Sequence, residues 1–203
     1  MKNIITDRLE QSINVKKRFI ESNIDLIEEG GNRLASCIAS GHKILIFGNG
    51  GSAADAQHIT AEFVNRFEIE RNPLAALALT TDTSVITSIG NDYDFEDIFA
   101  KQIMALGKKG DVAIGISTSG NSKNVVKAAL VAKNMGIFTI GLTGYGGRMA
   151  DHADMIFAVQ SKTTARIQET HILLGHILCD LVDRILFPEH WAGSRENVAE
   201  SNK

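Results

Sequence analysis

Hydrophobic residues recur at helical spacing near the start of the chain and farther along gather into short runs. Between residues 3 and 29, isoleucine and leucine return every three, four or seven positions with charges between them, which predicts one long amphipathic helix. Gly30 and Gly31 predict its end, and a second helix follows over residues 33–40. The apolar stripe of the first helix packs either on its own sheet or, because it is long, against another subunit.

Five apolar runs farther along are short, continuous and bounded by turn residues. The runs are KILIFG (43–48), LAALALT (74–80), VAIGIS (112–117), FTIGLT (138–143) and MIFAVQ (155–160). Runs of this kind predict buried strands, and helical stretches separate most of them, including a short one, GRMADHA (147–153), before the last run. The pattern therefore predicts an α/β fold in which one doubly wound parallel sheet is flanked by helices.

A last long helix is predicted from about Thr164 to Phe187, where Pro188 ends it. We see no internal repeat and no linker, so residues 1–187 are predicted to form a single domain with long helices at both ends. Residues 188–203 form a polar tail, and Trp191 is suited to anchor part of it.

Composition and charge narrow the range of functions. The 203 residues are 44% hydrophobic and carry a net charge of −3, with no basic stripe that would follow a nucleic-acid backbone. Cys37 and Cys179 lie in apolar helical contexts, which is typical of reduced, buried thiols. There is no signal-peptide core, and no apolar run approaches the ~20 residues needed to span a bilayer. We therefore expect a cytoplasmic protein without nucleic-acid or membrane partners.

Two loops rich in glycine and hydroxyl groups follow predicted strands and open helices. GNGGS (48–52) follows the first strand, and STSGNS (117–122) follows the third. Ligands of open parallel sheets bind outside the carboxyl ends of the strands, where free N–H groups and the helix dipole favour an anion. Four hydroxyls of the second loop predict a phosphate monoester site, with a serine-rich helix cap as the alternative; they belong to Ser117, Thr118, Ser119 and Ser122.

The first loop also matches the G-x-G-x-x-A fingerprint of dinucleotide binding. That fingerprint requires an acidic residue about 20 positions later, at the end of the second strand. Glu68 and Glu70 precede that strand, and Asp82 lies too far along the chain. The loop also lacks the Gly-Lys-Ser/Thr ending of a P-loop, so we do not expect a nucleotide site.

Two predicted helices carry polar residues whose spacing allows them to converge. His58 and Glu62 are four residues apart and share a helix face, although solvated faces show the same spacing. On the last helix, Gln168 and His176 are about 80° apart around the axis, whereas His171 and His176 are about 140° apart. Gln168 and His176 can therefore face one cavity, and His171 is excluded from it. Taken alone, His176 would more often be a core histidine.

Taken together, these motifs resemble the sugar-isomerase (SIS) family and, within it, the phosphoheptose isomerases. The resemblance rests on GNGGSAADAQH with its glutamate, GND, GISTSGNS, and RIQE with a histidine eight residues after its glutamine, and it extends to about residue 187. It implies a SIS-type fold, a cytoplasmic homotetramer with active sites at subunit interfaces, and one zinc ion per subunit. It also implies an aldose–ketose isomerase that converts sedoheptulose 7-phosphate to D-glycero-D-manno-heptose 7-phosphate through an enediol. This reaction would be the first step toward ADP- or GDP-activated heptose for lipopolysaccharide biosynthesis.

The resemblance also assigns roles to residues. The sugar would be held by the first loop and the GND motif, through Asn49, Gly50, Gly51, Ser52, Asn91 and Asp92. The phosphate would be held by Ser117, Thr118, Ser119 and Ser122, and zinc by His58, Glu62, Gln168 and His176. Glu62 and Gln168 would also contact the substrate. We expect Glu62 to act as the base and His176 as the acid, while zinc either polarises substrate oxygens or only orders the site.

One position departs from the pattern of the family. Some members carry an acidic residue immediately before the RIQE motif, and this chain has Ala165 there. A mechanism that uses a carboxylate at that position is therefore not expected for this chain.

Two alternative functions are compatible with the same fold but do not include the isomerase reaction. One is a SIS protein that assists replication initiation by binding a partner; that protein lacks the counterparts of Glu62 and His176, which this chain keeps. The other is a regulatory SIS domain that binds a sugar phosphate, for which STSGNS is needed and the acid–base pair is not. Measurable isomerase activity of the purified protein would distinguish an enzyme from both of these non-catalytic alternatives.

Overall fold

The part of the chain that the structure describes contains five strands in one sheet, and each lies within one of the apolar runs. The structure is a computed structural model that describes residues 1–191. The strands are β1 (Ile44–Gly48), β2 (Ala76–Ala78), β3 (Val112–Ser117), β4 (Phe138–Thr143) and β5 (Met155–Ala158). Their order is β2-β1-β3-β4-β5 and every neighbouring pair is parallel, which confirms the predicted parallel sheet.

The central strands are buried along their whole length because helices cover both faces of the sheet. β1 pairs with β3 from Ile44 and Val112 to Gly48 and Ile116, and every residue of both strands is buried. β2 is an edge strand of three residues, so the apolar run over 74–80 predicts a longer strand than the structure contains.

Within residues 1–191, six α-helices form two layers, one on each face of the sheet. They are α1 (Lys2–Ala39), α2 (Gly51–Val64), α3 (Thr83–Asp92), α4 (Ile98–Leu106), α5 (Lys123–Asn134) and α6 (Thr164–Leu186). One face packs against α1, α2 and α6, and the other packs against α3, α4 and α5. None of the helices within residues 1–191 is both long and apolar enough to cross a membrane.

The long first helix continues through the two glycines at which the sequence predicts its end, so that prediction is wrong. Its one break in helical geometry is at Asn23. Gly30 and Gly31 are buried against other elements: a Cβ on Gly31 would lie 2.9 Å from Cβ of Leu181 in α6, and one on Gly30 would lie 3.3 Å from the ring of Phe157 in β5. These glycines therefore permit close packing and do not end the helix.

No helical pattern in the sequence predicts α3. Asp82 caps this helix by accepting a hydrogen bond from the backbone N–H of Val85 at 2.9 Å. The helix is rich in threonine, valine and isoleucine and contains Gly90, residues of modest or low helix propensity, which explains the weak signal. The predicted short helix GRMADHA is a 3-10 turn over Arg148–Asp151.

The last long helix, α6, ends just before Pro188, as the sequence predicts. Pro188 follows the last residues of α6 and begins a 3-10 turn, Pro188–Trp191. The guanidinium of Arg184 lies 4.7 Å from the ring centre of Trp191, so the tryptophan anchors this turn to α6. The remainder of the predicted tail, 192–203, lies outside the described residues.

Both cysteines are free and buried, as their apolar contexts predict. Burial raises the pKa of the Cys37 thiol to about 11 and raises that of Cys179 further. The thiolate is the reactive form of cysteine, so neither side chain is suited to act as a nucleophile.

We expect Gly31→Ala to lower the free energy of unfolding by about 1–3 kcal/mol, because the added methyl group overlaps Leu181. Gly90→Ala is a matched control, since a Cβ at that helical glycine would meet only Phe95, at 4.0 Å. There, alanine should raise the free energy of unfolding by roughly 0.5–1 kcal/mol. Urea denaturation measures both changes, and equal effects of the two substitutions would contradict the close packing of α1 on α6.

Candidate active site

The two loops predicted to bind the ligand leave neighbouring strands at the same edge of the sheet. In the order β2-β1-β3, the chain turns to opposite sides after β1 and β3, which makes this pair the switch point of the sheet. GNGGS follows the carboxyl end of β1, and STSGNS follows that of β3. The structure therefore brings the two loops together where doubly wound sheets bind their ligands.

The first loop has a backbone that only glycine adopts readily. Gly50 has φ +57° and precedes α2, whose N-terminus has no side-chain cap from the described residues. A Cβ on Gly51 would overlap the amide nitrogen of Gln168, so this residue of α6 lies directly against the loop. Ser52 is buried, and Asn49 is half-buried. The open helix N-terminus suits an anion or a polar ligand.

The second loop gathers hydroxyls at the start of α5. The hydroxyls of Ser117 and Ser122 are 3.0 Å apart and hydrogen-bonded, and Ser119 Oγ accepts a hydrogen bond from the backbone N–H of Asn121 at 3.1 Å. Ser122 stands at the N-cap but makes no side-chain capping bond to the described helix. This geometry disfavours the serine-cap alternative and leaves the helix N-terminus accessible to an anion. Thr118 is half-buried between the serines.

A reciprocal pair of amides joins the two loops. Asn49 Nδ2 donates to Asn124 Oδ1 and Asn124 Nδ2 donates to Asn49 Oδ1, both at 2.9 Å. Asn124 lies in the first turn of α5 and is buried. Asn124 is not predicted from the sequence, because no motif marks a partner that lies 75 positions away along the chain.

The GND motif forms the end of α3, where Asn91 and Asp92 are exposed. Asn91 Nδ2 donates to Asp92 Oδ1 at 2.8 Å. Just after it, Glu96 pairs with Lys123 of α5 at 2.7 Å, which holds this segment beside the start of α5. The motif therefore lies on the side of the sheet where the STSGNS loop enters α5.

Three of the predicted metal ligands meet between α2 and α6. His58 Nε2 lies 3.2 Å from Glu62 Oε1 and 3.2 Å from His176 Nε2. Glu62 is 23% exposed, which leaves its carboxylate accessible from one side. Phe67 stacks on the imidazole of His176 with ring centres 5.5 Å apart, a contact that the sequence analysis missed.

A glycine allows the two helices to approach closely at this point. A Cβ on Gly175 would lie 2.7 Å from Cδ1 of Ile59, so no larger residue fits there without a shift of Ile59. Gly175 precedes His176 and Ile59 follows His58, so this contact sets the distance between the two histidines.

The donor set of the three residues fits a zinc ion. Their ligand atoms all lie within 4.8 Å of one another. The two separations of 3.2 Å match the roughly 3.3 Å between ligands of a tetrahedral zinc with bonds of about 2.0 Å. Gln168 is about two turns before His176 on α6, and its amide lies against Gly51. Gln168 as a fourth ligand therefore stays a prediction.

His171 takes no part in this cluster, as its angular position on α6 predicts. It is fully buried, and its Nε2–H donates to the carbonyl oxygen of Thr143 at 3.0 Å. Burial lowers the pKa of His171 to about 4. It is a neutral core histidine that ties α6 to the end of β4.

Comparisons of sequence and structure find known proteins that this chain resembles. The SIS domain family matches residues 9–144. A phosphoheptose isomerase of Thermodesulfovibrio yellowstonii is 57% identical over 88% of this chain and 89% of its own, and one of Nitratidesulfovibrio vulgaris is 53% identical over 91% and 89%. The structure of a phosphoheptose isomerase from Neisseria gonorrhoeae superposes with a TM-score of 0.85 at 44% identity, over 90% of this chain and 98% of that one.

We expect acid to destabilise the fold through His171. Its pKa is about 4 in the folded protein against 6.5 ordinarily, so below pH 6.5 the unfolded chain binds a proton that the folded chain does not. The stability from this group is complete above pH 6.5 and is lost as the pH falls towards 4, by up to about 3 kcal/mol.

His171→Gln tests this expectation, because the amide can still donate to Thr143 and does not titrate. Urea denaturation between pH 6.5 and 4 should show a shallower loss of stability in this variant than in the wild type. His190→Gln, at an exposed position, controls for the loss of one imidazole. Equal pH dependence of the wild type and His171→Gln would contradict the assignment.

Proposed function

The chain belongs to the phosphoheptose isomerases of the SIS domain family, and we propose that it converts sedoheptulose 7-phosphate to D-glycero-D-manno-heptose 7-phosphate. The observation that carries this proposal is the meeting of His58, Glu62 and His176 between two helices at the GNGGS loop: α2 begins in this loop, and Gln168 of α6 lies against its Gly51. The product would serve as the precursor of activated heptose for lipopolysaccharide, in the cytoplasm.

The substrate would lie across the switch point of the sheet, with its phosphate at the start of α5. The hydroxyls of the second loop and the open N-terminus of α5 support this placement of the phosphate. The proposed phosphate ligands are Ser117, Thr118, Ser119 and Ser122. The proposed sugar ligands are Asn49, Gly50, Gly51, Ser52, Asn91, Asp92 and Gln168.

The reaction moves a carbonyl from C2 to C1 and needs one base and one acid. Glu62 would take a proton from C1 as the C1–C2 double bond forms. His176 would give the oxygen on C2 a proton from the ring nitrogen that does not hold zinc, which yields the enediol. The enediol would then lose the proton from the oxygen on C1 and gain a proton on C2, which yields the aldose. Each such group typically contributes ~10²–10⁴-fold to the rate.

Zinc is the metal that we propose for this cluster, one ion per subunit. When bound, it would polarise the oxygens of the substrate as a Lewis acid or hold the site in order. His58 and His176 would hold it with a nitrogen each and Glu62 with one oxygen, and Gln168 is the proposed fourth ligand. The second carboxylate oxygen of Glu62 would remain free to take the proton.

We also propose that the protein is a homotetramer. α1 exposes large apolar side chains that a monomer would leave in water; they are Ile4, Ile5, Leu9, Ile13 and Ile24. Between α1 and α6 runs a groove of about 380 Å³, lined largely by isoleucine and leucine. A second copy of the same chain offers a matching apolar face, as symmetric interfaces do.

We expect Glu62→Gln to lower kcat for sedoheptulose 7-phosphate by at least about 10²-fold, because the amide cannot take a proton. Formation of the aldose phosphate by purified protein measures the rate. Glu68→Gln, at an exposed position six residues farther on, is the matched control and should keep wild-type activity. Chelation of the wild type should also lower turnover if zinc polarises the substrate, and should leave it unchanged if the metal is dispensable for chemistry.

Two results would contradict the proposal. Wild-type turnover by Glu62→Gln would exclude Glu62 as the base. No turnover by the zinc-loaded wild type, despite binding of the sugar phosphate, would favour a regulatory or partner-binding SIS protein.

We expect Ile24→Glu to split the tetramer into smaller species, because it places a charge in the apolar groove. Light scattering of the purified protein gives the mass. Leu130→Glu, on the opposite face of the sheet, is the control at a similarly exposed leucine and should keep the wild-type mass. A monomeric wild type would contradict the proposal.

A further inference from the structure

Glu62 lies in the last turn of α2, a part of a helix that needs support from outside. The helix ends at Val64, and the backbone leaves helical geometry at Asn65. The carbonyl oxygens of a last turn have no partner within the helix, and such turns fray unless other groups bind them. A carboxylate in this turn keeps a fixed position only if a donor holds its backbone.

Arg71 supplies that donor. Its Nη2 donates to the carbonyl oxygen of Glu62 at 2.8 Å, and its Nη1 donates to the carbonyl oxygens of Phe63 at 2.8 Å and Asn65 at 3.3 Å. The Arg71 side chain is only 1% exposed. A guanidinium has several N–H groups at fixed angles, so one side chain can bind all these oxygens at once.

The same guanidinium also binds the other helix of the site. Arg71 Nε donates to Asp183 Oδ1 at 2.8 Å, and Asp183 is 2% exposed. Asp183 lies seven residues beyond His176, about two turns along the same side of α6. Arg71 therefore connects the backbone of Glu62 to the helix that carries His176.

We propose that Arg71 and Asp183 are positioning residues that fix the Glu62 carboxylate relative to His176. The inference rests on the metal site and the reaction proposed above. A buried ion pair contributes little net stability compared with an apolar pair of similar size, so geometry is the property that this pair supplies. Without it, the backbone N–H of Leu74 would still bind the carbonyl oxygen of Phe63 and the last turn of α2 would form. The carbonyl oxygen of Glu62 would lose its donor, and the Glu62 carboxylate would sample several positions.

The test is the zinc affinity of metal-stripped protein, measured by competition with a chromogenic chelator. Arg71→Lys keeps the charge and loses the fixed fork of donors, and Asp183→Asn keeps the shape and loses the charge. We expect each to weaken zinc binding by roughly 10–100-fold, the usual loss when groups that orient metal ligands are changed. We also expect kcat to fall while KM changes little, since neither residue touches the two loops.

Arg184→Lys is the matched control. Arg184 is also an arginine bound to an aspartate, Asp180, at 2.8 Å, but its side chain is 47% exposed and makes no hydrogen bond or ion pair with α2 in the described structure. It should keep wild-type zinc affinity. Circular dichroism and thermal unfolding establish that each variant is folded, and where Asp183→Asn does not fold, Asp183→Glu retains the charge and shifts the carboxylate by one methylene.

The outcomes distinguish this inference from the proposed function. Folded variants at Arg71 and Asp183 with wild-type zinc affinity, in a protein whose wild type binds zinc and turns over substrate, would overturn the inference alone. A purely structural role would lower the unfolding temperature and leave the zinc affinity of the folded protein unchanged. A wild type that binds no zinc would overturn the proposed metal site and this inference with it.

Discussion

The close contact between α2 and α6 is the constraint on which the candidate site depends. The two helices touch at the start of α2, where Gln168 lies against Gly51, and again where Ile59 meets Gly175. Neither helix carries the full set of polar groups, so a small change in their separation would disperse the cluster. Close-packed interiors do not deform smoothly, and this rigidity is what makes a cluster of three side chains from two helices possible.

The sequence predicts the sheet well because a buried strand has a local signature. β3 and β4 coincide with the apolar runs VAIGIS and FTIGLT, since strands covered on both faces need apolar residues at every position. The ends of helices are harder to predict. Glycine commonly ends a helix, so Gly31 is read from the local sequence as a helix end. Its actual role is to pack against Leu181, which lies 150 positions away along the chain. α3 is missed because its residues favour strands as much as helices.

Some features of the candidate site also follow from local spacing in the sequence, whereas others depend on contacts between residues that lie far apart along the chain. The pairing of His58 with Glu62 follows from the helical repeat, and the exclusion of His171 follows from its angle on α6. The 3.2 Å approach of His176 to His58 joins residues 118 positions apart, so spacing alone allows it but does not require it. Asn124 binds Asn49 and Arg71 binds Asp183, partners that lie far away along the chain, and no short motif marks either residue.

The amide pair between Asn49 and Asn124 has a consequence for how a ligand is bound. Because the chain's own groups form the pair, the spacing of the two loops does not depend on a sugar phosphate. A ligand that enters loses its own freedom of motion, while the protein has little left to order. Preorganisation of this kind improves affinity by removing an entropic cost, so the proposed ligand loops would act as a preformed template for a sugar phosphate.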